Sequence, residues 1–349
     1  MVGMSKLSSA NSNITLAHGA GGKAMCDLIQ DIFVETFAND ELRQLEDQAR
    51  LGLDSLMKRG DRLAFTTDSY VVDPLCFPGG DIGKLAVTGT VNDLAVGGAT
   101  PLYLSCAMII EEGLPTDTLR RVAASMQRAA VEANVSVVTG DTKVVPRGAA
   151  DKLFINTTGV GVIASHVDIR AGNALPGDKL IINGYLGDHG AAIVDARGEM
   201  SLDYSITSDC QPLNALVARM LECCPDIHCM RDVTRGGLAT VLNEFAAASR
   251  VGVLLDEGVL PIRPEVRGMC EILGLDPLYL ANEGKLLAIV PAERATACVQ
   301  SMRQHPAGTH SAIIGEVRAT HPGRVILQTS FGGDRVVDML VGEQLPRIC

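Results

Sequence analysis

Val135-Ser136-Val137-Val138-Thr139 runs straight into Gly140-Asp141-Thr142-Lys143 and reads as a buried strand that delivers a glycine, an acid, a hydroxyl and a cation at its end. Upstream, Thr116 to Glu132 repeats apolar residues at helical spacing behind a capping residue, Thr116. Before that helix, Leu102 to Ile110 reads as a strand. Downstream, Leu153 to Ile163 is a further strand with no helix in between. Strict βαβ alternation therefore fails, and the pattern favours α+β layers over a doubly wound sheet.

Outward from this centre the chain divides into two halves. Leu63-Ala64-Phe65-Thr66-Thr67 is a strand carrying Asp68 at its end, and Asp81 to Val96 is a helix. His18-Gly19-Ala20-Gly21-Gly22-Lys23 is a glycine loop, followed by a helix with Met25, Leu28, Ile29, Ile32 and Phe33 on one face. Turn chemistry marks Ala171 to Asp178 as a linker. Beyond it, strands are expected at Lys179–Asn183, Val251–Leu255, Leu286–Val290, Ser311–Val317 and Arg324–Gln328, with helices at Asp209–Cys223 and Gly237–Ala248. The expected organisation is a flexible lead-in over 1–16, a first domain over 17–165, a second over 176–332, and a mobile tail over 333–349.

Composition narrows the class. Of 349 residues, 47% are hydrophobic and 20% charged, which suits a globular enzyme with ample core. A net charge of −11 argues against nucleic acid, which needs clustered Lys and Arg. No apolar run approaches the roughly 20 residues of a membrane span, and Met1 to Asn13 lacks the apolar core of a signal peptide. Ten cysteines without an export signal imply reduced thiols in the cytoplasm.

Asp68, Asp93 and Asp141 stand at strand ends or beside glycines, with Lys143 close to the third. Such carboxylates suit Mg²⁺ bridging nucleotide phosphates, since Mg²⁺ takes a few carboxylates plus phosphate oxygens. An Asp at a strand end also serves as a turn former or helix cap, and that reading stays open. No P-loop is present, because Gly22-Lys23, Gly83-Lys84 and Gly284-Lys285 are followed by Ala24, Leu85 and Leu286. In Arg231-Asp232-Val233-Thr234-Arg235-Gly236-Gly237, the two glycines open a helix whose N–H groups suit a phosphate or carboxylate; a well-capped helix start explains them equally. Glu283, on the turn Asn282-Glu283-Gly284-Lys285, is a candidate general base. Cys224 and Cys229 lack finger spacing and read as incidental thiols in a loop.

The sequence ends Leu345-Pro346-Arg347-Ile348-Cys349. A terminal residue has few neighbours, so this thiol reads as one built to be presented, or as an unremarkable last residue. Pro346 stiffens the approach. Extended at ~3.3 Å per residue, the arm from Arg335 spans on the order of 50 Å, enough to reach a cleft on its own chain or a partner.

His18-Gly19-Ala20-Gly21-Gly22, Thr67-Asp68-Ser69-Tyr70-Val71, Asn92-Asp93-Leu94-Ala95, Gly140-Asp141-Thr142-Lys143, Arg231 to Gly237, Asn282-Glu283-Gly284-Lys285 and the final Pro346-Arg347-Ile348-Cys349 together resemble the HypE family, the carbamoyl dehydratases of [NiFe]-hydrogenase maturation. The resemblance covers the chain from Ile14 onward, and the terminal motif is its most specific part. The internal motifs are shared with the wider aminoimidazole ribonucleotide synthetase and selenophosphate synthetase superfamily.

The resemblance implies two α+β domains of the aminoimidazole ribonucleotide synthetase type, dimerisation through the first domain's sheet, and ATP with Mg²⁺ in a cleft. It implies that a carbamoyltransferase, HypF, loads Cys349. ATP-driven dehydration then leaves a thiocyanate, and the cyano group passes to a HypC–HypD complex as an iron ligand. Cys349, Lys143 and Glu283 are the expected catalytic groups. Gly21, Gly22, Asp68, Asp93, Asp141, Thr142, Lys143, Gly236 and Gly237 are expected around nucleotide. Asp68, Asp93, Asp141 and, by analogy with selenophosphate synthetase, Asp232 are expected around metal. Two other readings are another ATP-dependent enzyme of the superfamily acting on a small substrate, and a non-catalytic thiol carrier.

Overall fold

The computed structural model describes residues 13–198, 206–342, 345 and 347–349. Most of the expected lead-in and Pro346 lie outside the described residues. Strands are numbered in chain order: β1 Arg62–Tyr70, β2 Cys76–Phe77, β3 Gly80–Asp81, β4 Ala99–Glu111, β5 Ser136–Val145, β6 Leu153–Ile163, β7 Lys179–Ile182, β8 Cys229–Asp232, β9 Gly252–Asp256, β10 Leu286–Val290, β11 Ala312–Arg318, β12 Val325–Gln328 and β13 Asp334–Val336.

In the first half the order β1-β6-β4-β5 makes a mixed sheet, with only β4 and β5 parallel. Helices Ile82–Val96 and Thr116–Glu132 cover one face. Alternation along β1 and β4 explains the burial: Tyr70, Leu104, Cys106 and Met108 point inward while Leu63, Phe65 and Ile109 stay exposed on the other face. Asp81 opens its helix by accepting from the N–H groups of Gly83 (2.8 Å) and Lys84 (2.9 Å). Thr116 is the first residue of its helix and Pro115 takes the cap position, which corrects the expected cap by one residue. The segment 23–37 is helical and widens to a π turn over Ile29–Val34. The lead-in is shorter than expected: Ile14 is fully buried and exchanges backbone hydrogen bonds with Gly113 and Leu114.

The second half is a seven-stranded sheet, β13-β12-β9-β11-β7-β10-β8. Its faces are packed by helices that include Asn214–Cys223, Gly237–Ser249 and Ala292–Met302. The helix expected from Asp209 begins at Asn214. The expected loop around the cysteines is shorter too: Cys223 closes a helix, Cys229 starts β8, and Cys224 and Cys229 are buried. The two halves meet through Asn92, on helix Ile82–Val96. It donates to the carbonyls of Gln211 (3.1 Å) and Glu283 (3.4 Å) and accepts from the N–H of Leu213 (2.7 Å).

The end of the chain returns to this junction. Val71 N–H donates to the Cys349 carbonyl (3.1 Å) and Asp73 N–H to that of Arg347 (3.3 Å), an antiparallel pairing that continues β1. Ile348 is buried and Cys349 half-buried. Fraying is the ordinary fate of a terminus, and here backbone pairing offsets it.

Candidate active site at the cleft between the halves

Each acidic residue of the cleft is held by a different element. Asp68 lies near the end of β1, Asp93 on helix Ile82–Val96, Asp232 at the end of β8, and Glu283 on the loop before β10. Thr66 donates its hydroxyl to Asp93 (3.1 Å). Burial, and then the Asp68 charge, push the Asp93 carboxyl up to about 6. Burial, and then Asp93, push Asp232 up to about 7. Arg235 Nη2 stands 3.9 Å from Asp68 and brings a cation to the group.

Glu283 is fully enclosed, and its Oε1 finds no hydrogen-bond partner among the described residues. Burial, followed by the charges of Asp209, Asp232 and Asp68, raises its carboxyl well above the usual carboxylate range. The loop is fixed from below. Asp209 accepts from the N–H groups of Glu283 (3.0 Å) and Gly284 (3.2 Å) and pairs with Lys285 (2.8 Å) in a buried ion pair. Burial opposes the Asp209 charge, but Lys285 and the loop N–H groups outweigh it and hold the carboxyl below its ordinary value.

The Cys349 thiol feels the charges of this group. Burial pushes its pKa up, Glu283, Asp68 and Asp232 add to the rise, and Arg235 opposes it. Cys349 is in turn the largest influence on the Arg235 guanidinium, which it raises. A cavity of about 310 Å³, lined in part by Arg235, Gly236, Thr240, Leu345 and Ile348, borders the tail. Helix Gly237–Ser249 opens beside it without a side-chain cap hydrogen bond. Gly236 and Gly237 have positive φ (77° and 61°), and a Cβ on Gly237 would fall 2.4 Å from the Leu278 carbonyl. Packing alone therefore requires that glycine.

The expected residues do not all converge. Asp141 and Lys143 pair with each other (2.9 Å) on the exposed face of β5, and Lys143 holds Asp141 below the usual carboxylate range. Gly140 to Lys143 lie within β5 rather than after it. Thr142 faces inward and is buried. The glycine loop packs on this strand, and a Cβ at Gly21 or Gly22 would meet nothing within 4 Å. Within one chain, Asp141 is thus separate from Asp68, Asp93 and Asp232. Among the described residues no three acidic, His or Cys groups close on a common metal position.

Family comparisons agree with this architecture. Residues 46–163 match the N-terminal domain of AIR synthase related proteins, and residues 176–328 match the C-terminal domain. The carbamoyl dehydratase HypE of Rhodobacter capsulatus is 56% identical over 97% of this chain and 99% of its own length. The chain belongs to the HypE family. A crystal structure of the hydrogenase maturation protein HypE in complex with ATP superposes with a TM-score of 0.91 at 51% identity, covering 96% of this chain and 99% of that one. In a HypE–HypF complex the matching chain is 44% identical with a TM-score of 0.78, covering 90% and 99%.

Sequence reading overlooked several residues of this HypE-type cleft. Arg235 was legible as the cation before Gly236-Gly237 but received no role. Asn92 and Lys285 stand inside motifs already quoted but were given no role of their own, whereas Asp209 and His189 carry no local signal, because Asp209 meets Glu283 and Lys285 across 74 and 76 residues and His189 meets Ile348 across 159.

Proposed function

We propose that this chain is an ATP-dependent carbamoyl dehydratase that converts an S-carbamoyl group on its own Cys349 to a thiocyanate, the source of the cyanide ligand for the iron of [NiFe]-hydrogenase. The observation that carries the reading is the return of the chain end to the cleft, where the Cys349 carbonyl pairs with Val71 N–H (3.1 Å) and the thiol feels the charges of Glu283, Arg235, Asp68 and Asp232. An amide oxygen is a poor leaving group, so dehydration needs phosphorylation of that oxygen and removal of both N–H protons. ATP supplies the phosphoryl group when bound.

The residues present fit Mg-ATP. Burial and mutual repulsion raise Asp93 and Asp232 in the crowded carboxylate group, a charge excess that a cation relieves. One or two of Asp68, Asp93 and Asp232 would hold Mg²⁺ together with phosphate oxygens, which suits an ion that takes few protein carboxylates. Arg235 and the uncapped start of helix Gly237–Ser249 face the same space and would orient phosphate. Glu283, whose buried Oε1 is without a partner among the described residues, would take one proton from the carbamoyl nitrogen, and the departing phosphate would carry off the oxygen and the second proton.

Lys143, Asp141, Gly21 and Gly22 enter through a second copy of the chain. The exposed sheet face carries Leu63, Phe65 and Ile109, an apolar surface suited to a homodimer. A two-fold axis along the strands lays the β5 edge of one copy over the β1 edge of the other. Asp68 and Gly140 are level across the sheet, so Asp141 and Lys143 of one copy then come to the edge where Asp68 of the other stands. Lys143 would there neutralise phosphate. HypF would load the thiol, HypC–HypD would accept the cyano group, and the setting would be the cytoplasm.

The test is the mass of the C-terminal peptide after incubation with ATP, Mg²⁺ and a carbamoyl-loading system. Carbamoyl and cyano forms of Cys349 are expected in turn, and Cys349→Ala should show neither. A carbamoyl form that persists unchanged with ATP hydrolysed elsewhere would reject the reading.

A further inference from the structure

The last residues are gripped chiefly by their carbonyls. His189 is fully buried on helix Asp188–Ala196, and its Nε2 lies 2.8 Å from the carbonyl oxygen of Ile348. A carbonyl only accepts, so Nε2 carries the proton and donates. Nδ1 then accepts from the Ser208 hydroxyl at 2.8 Å, and Phe77 meets the imidazole edge-on at 5.4 Å between centroids. Arg197, following the same helix, donates to the carbonyls of Arg347 (3.0 Å) and Asp73 (3.0 Å). Arg347 itself pairs with Asp151 and donates to the Val71 carbonyl (3.3 Å).

We infer that His189 and Arg197 are positioning residues of the dehydration: by holding the carbonyls of Ile348 and Arg347 they fix the register of the chain end, and so place the Cys349 sulfur against Glu283 and Arg235. The inference rests on the reading of Cys349 as the modified residue. The grip is on main-chain atoms spaced one residue apart, so a slip of one residue would carry the thiol away from Glu283. Helix Asp188–Ala196 also steadies the loop that carries Glu283, Gly190 N–H donating to the Ala281 carbonyl (3.0 Å), and the imidazole of His189 is its group that reaches the chain end. The same bonds must break when the thiol is presented to a carbamoyl donor. Weakening them therefore has opposite consequences for the two half-reactions, which general damage to the fold does not.

The test uses the full-length chain with three variants: His189→Ala, His189→Gln, which keeps a donor, and Arg197→Met, which keeps the half-buried stem and loses the donors. Two quantities are read from the mass of the C-terminal peptide: the rate of Cys349 alkylation by iodoacetamide, and single-turnover conversion of carbamoyl to cyano with Mg-ATP. Loss of one buried hydrogen bond is worth about tenfold in equilibrium. His189→Ala and Arg197→Met should alkylate roughly that much faster, load carbamoyl at least as fast as the parent, and convert about tenfold more slowly. His189→Gln should stand near the parent. Unchanged alkylation and conversion in both donor-deleted variants would overturn the inference. So would a joint fall of loading and conversion, or a His189→Gln as impaired as His189→Ala. If the parent loads but never converts, the dehydratase reading fails on its own, and the alkylation rates still decide the seating.

Discussion

Asp68 and Asp141 occupy opposite edge strands of one four-stranded sheet and stand within one residue of the same level, Asp68 pairing across Thr157 and Cys106 to Gly140. Three strand spacings separate them, about 14 Å. No single Mg²⁺ spans that distance, so the two either serve different ends of one ligand or meet across a dimer.

The dimer reading gives a mixing experiment. Asp68→Asn and Asp141→Asn homodimers should each be inactive. Equal amounts allowed to exchange should recover roughly a quarter of parent conversion, the share of intact sites in randomly mixed two-fold dimers. A mixture as dead as its components would place the whole site within one chain.

Loading and dehydration should separate by variant. Glu283→Gln keeps size but loses the base, and base catalysis contributes ~10²–10⁴ in rate. Lys143→Ala removes a cation proposed for phosphate. Both should accumulate carbamoylated Cys349 at the parent loading rate and form little thiocyanate, as peptide mass would show. Parent-rate conversion by either variant would remove that residue from the chemistry.

The acidic group makes stability depend on pH. Asp93, at about 6, and Asp232, at about 7, bind protons more tightly folded than unfolded. Their stabilising contribution is complete below the unfolded carboxylate value of about 3.9 and is lost as pH rises through 6 to 7. Without nucleotide or metal, Tm should therefore fall from pH 5 towards about pH 8, and Asp93→Asn should flatten the fall. Saturating Mg-ATP should also flatten it by compensating the charge. A Tm that rises across the window would contradict the raised values.

Gly284 tests the loop that carries Glu283. A Cβ there would lie 2.0 Å from the Asp209 carbonyl oxygen, a backbone atom that side-chain rotation cannot clear. Gly284→Ala should cost about 1–3 kcal/mol of stability, the usual range for overpacking. Conversion should fall while loading persists, because the loop must shift away from Asp209. Denaturant melts and the two half-reaction rates check this, and parent values in both would mean the loop absorbs a methyl group freely.

What the sequence determined by itself was the part of the fold written in local periodicity. Thr116–Glu132, β6 and β10 stand where the sequence reading put them, because each buries one face or both at its own period. Helix Asp188–Ala196 escaped that reading because Asp188 to Val194 are all buried, so it shows no polar stripe. Pro264–Leu273 and Ala292–Met302 did carry a signal, with Val266, Met269 and Cys270 and then Ala295, Cys298, Val299 and Met302 at helical spacing. The motif residues were legible as chemistry, but their grouping was not. Asp93 and Asp232 lie far apart in sequence, and their mutual repulsion exists only once helix Ile82–Val96 packs beside β8. The tertiary structure likewise decided that Asp141 stays away from them, because side chains on successive strand residues point to opposite faces and Asp141 falls on the open one. It also decided that the final thiol is seated, since the groups holding it come from Val71, Asp73, His189 and Arg197, which only the packing of the two halves brings together.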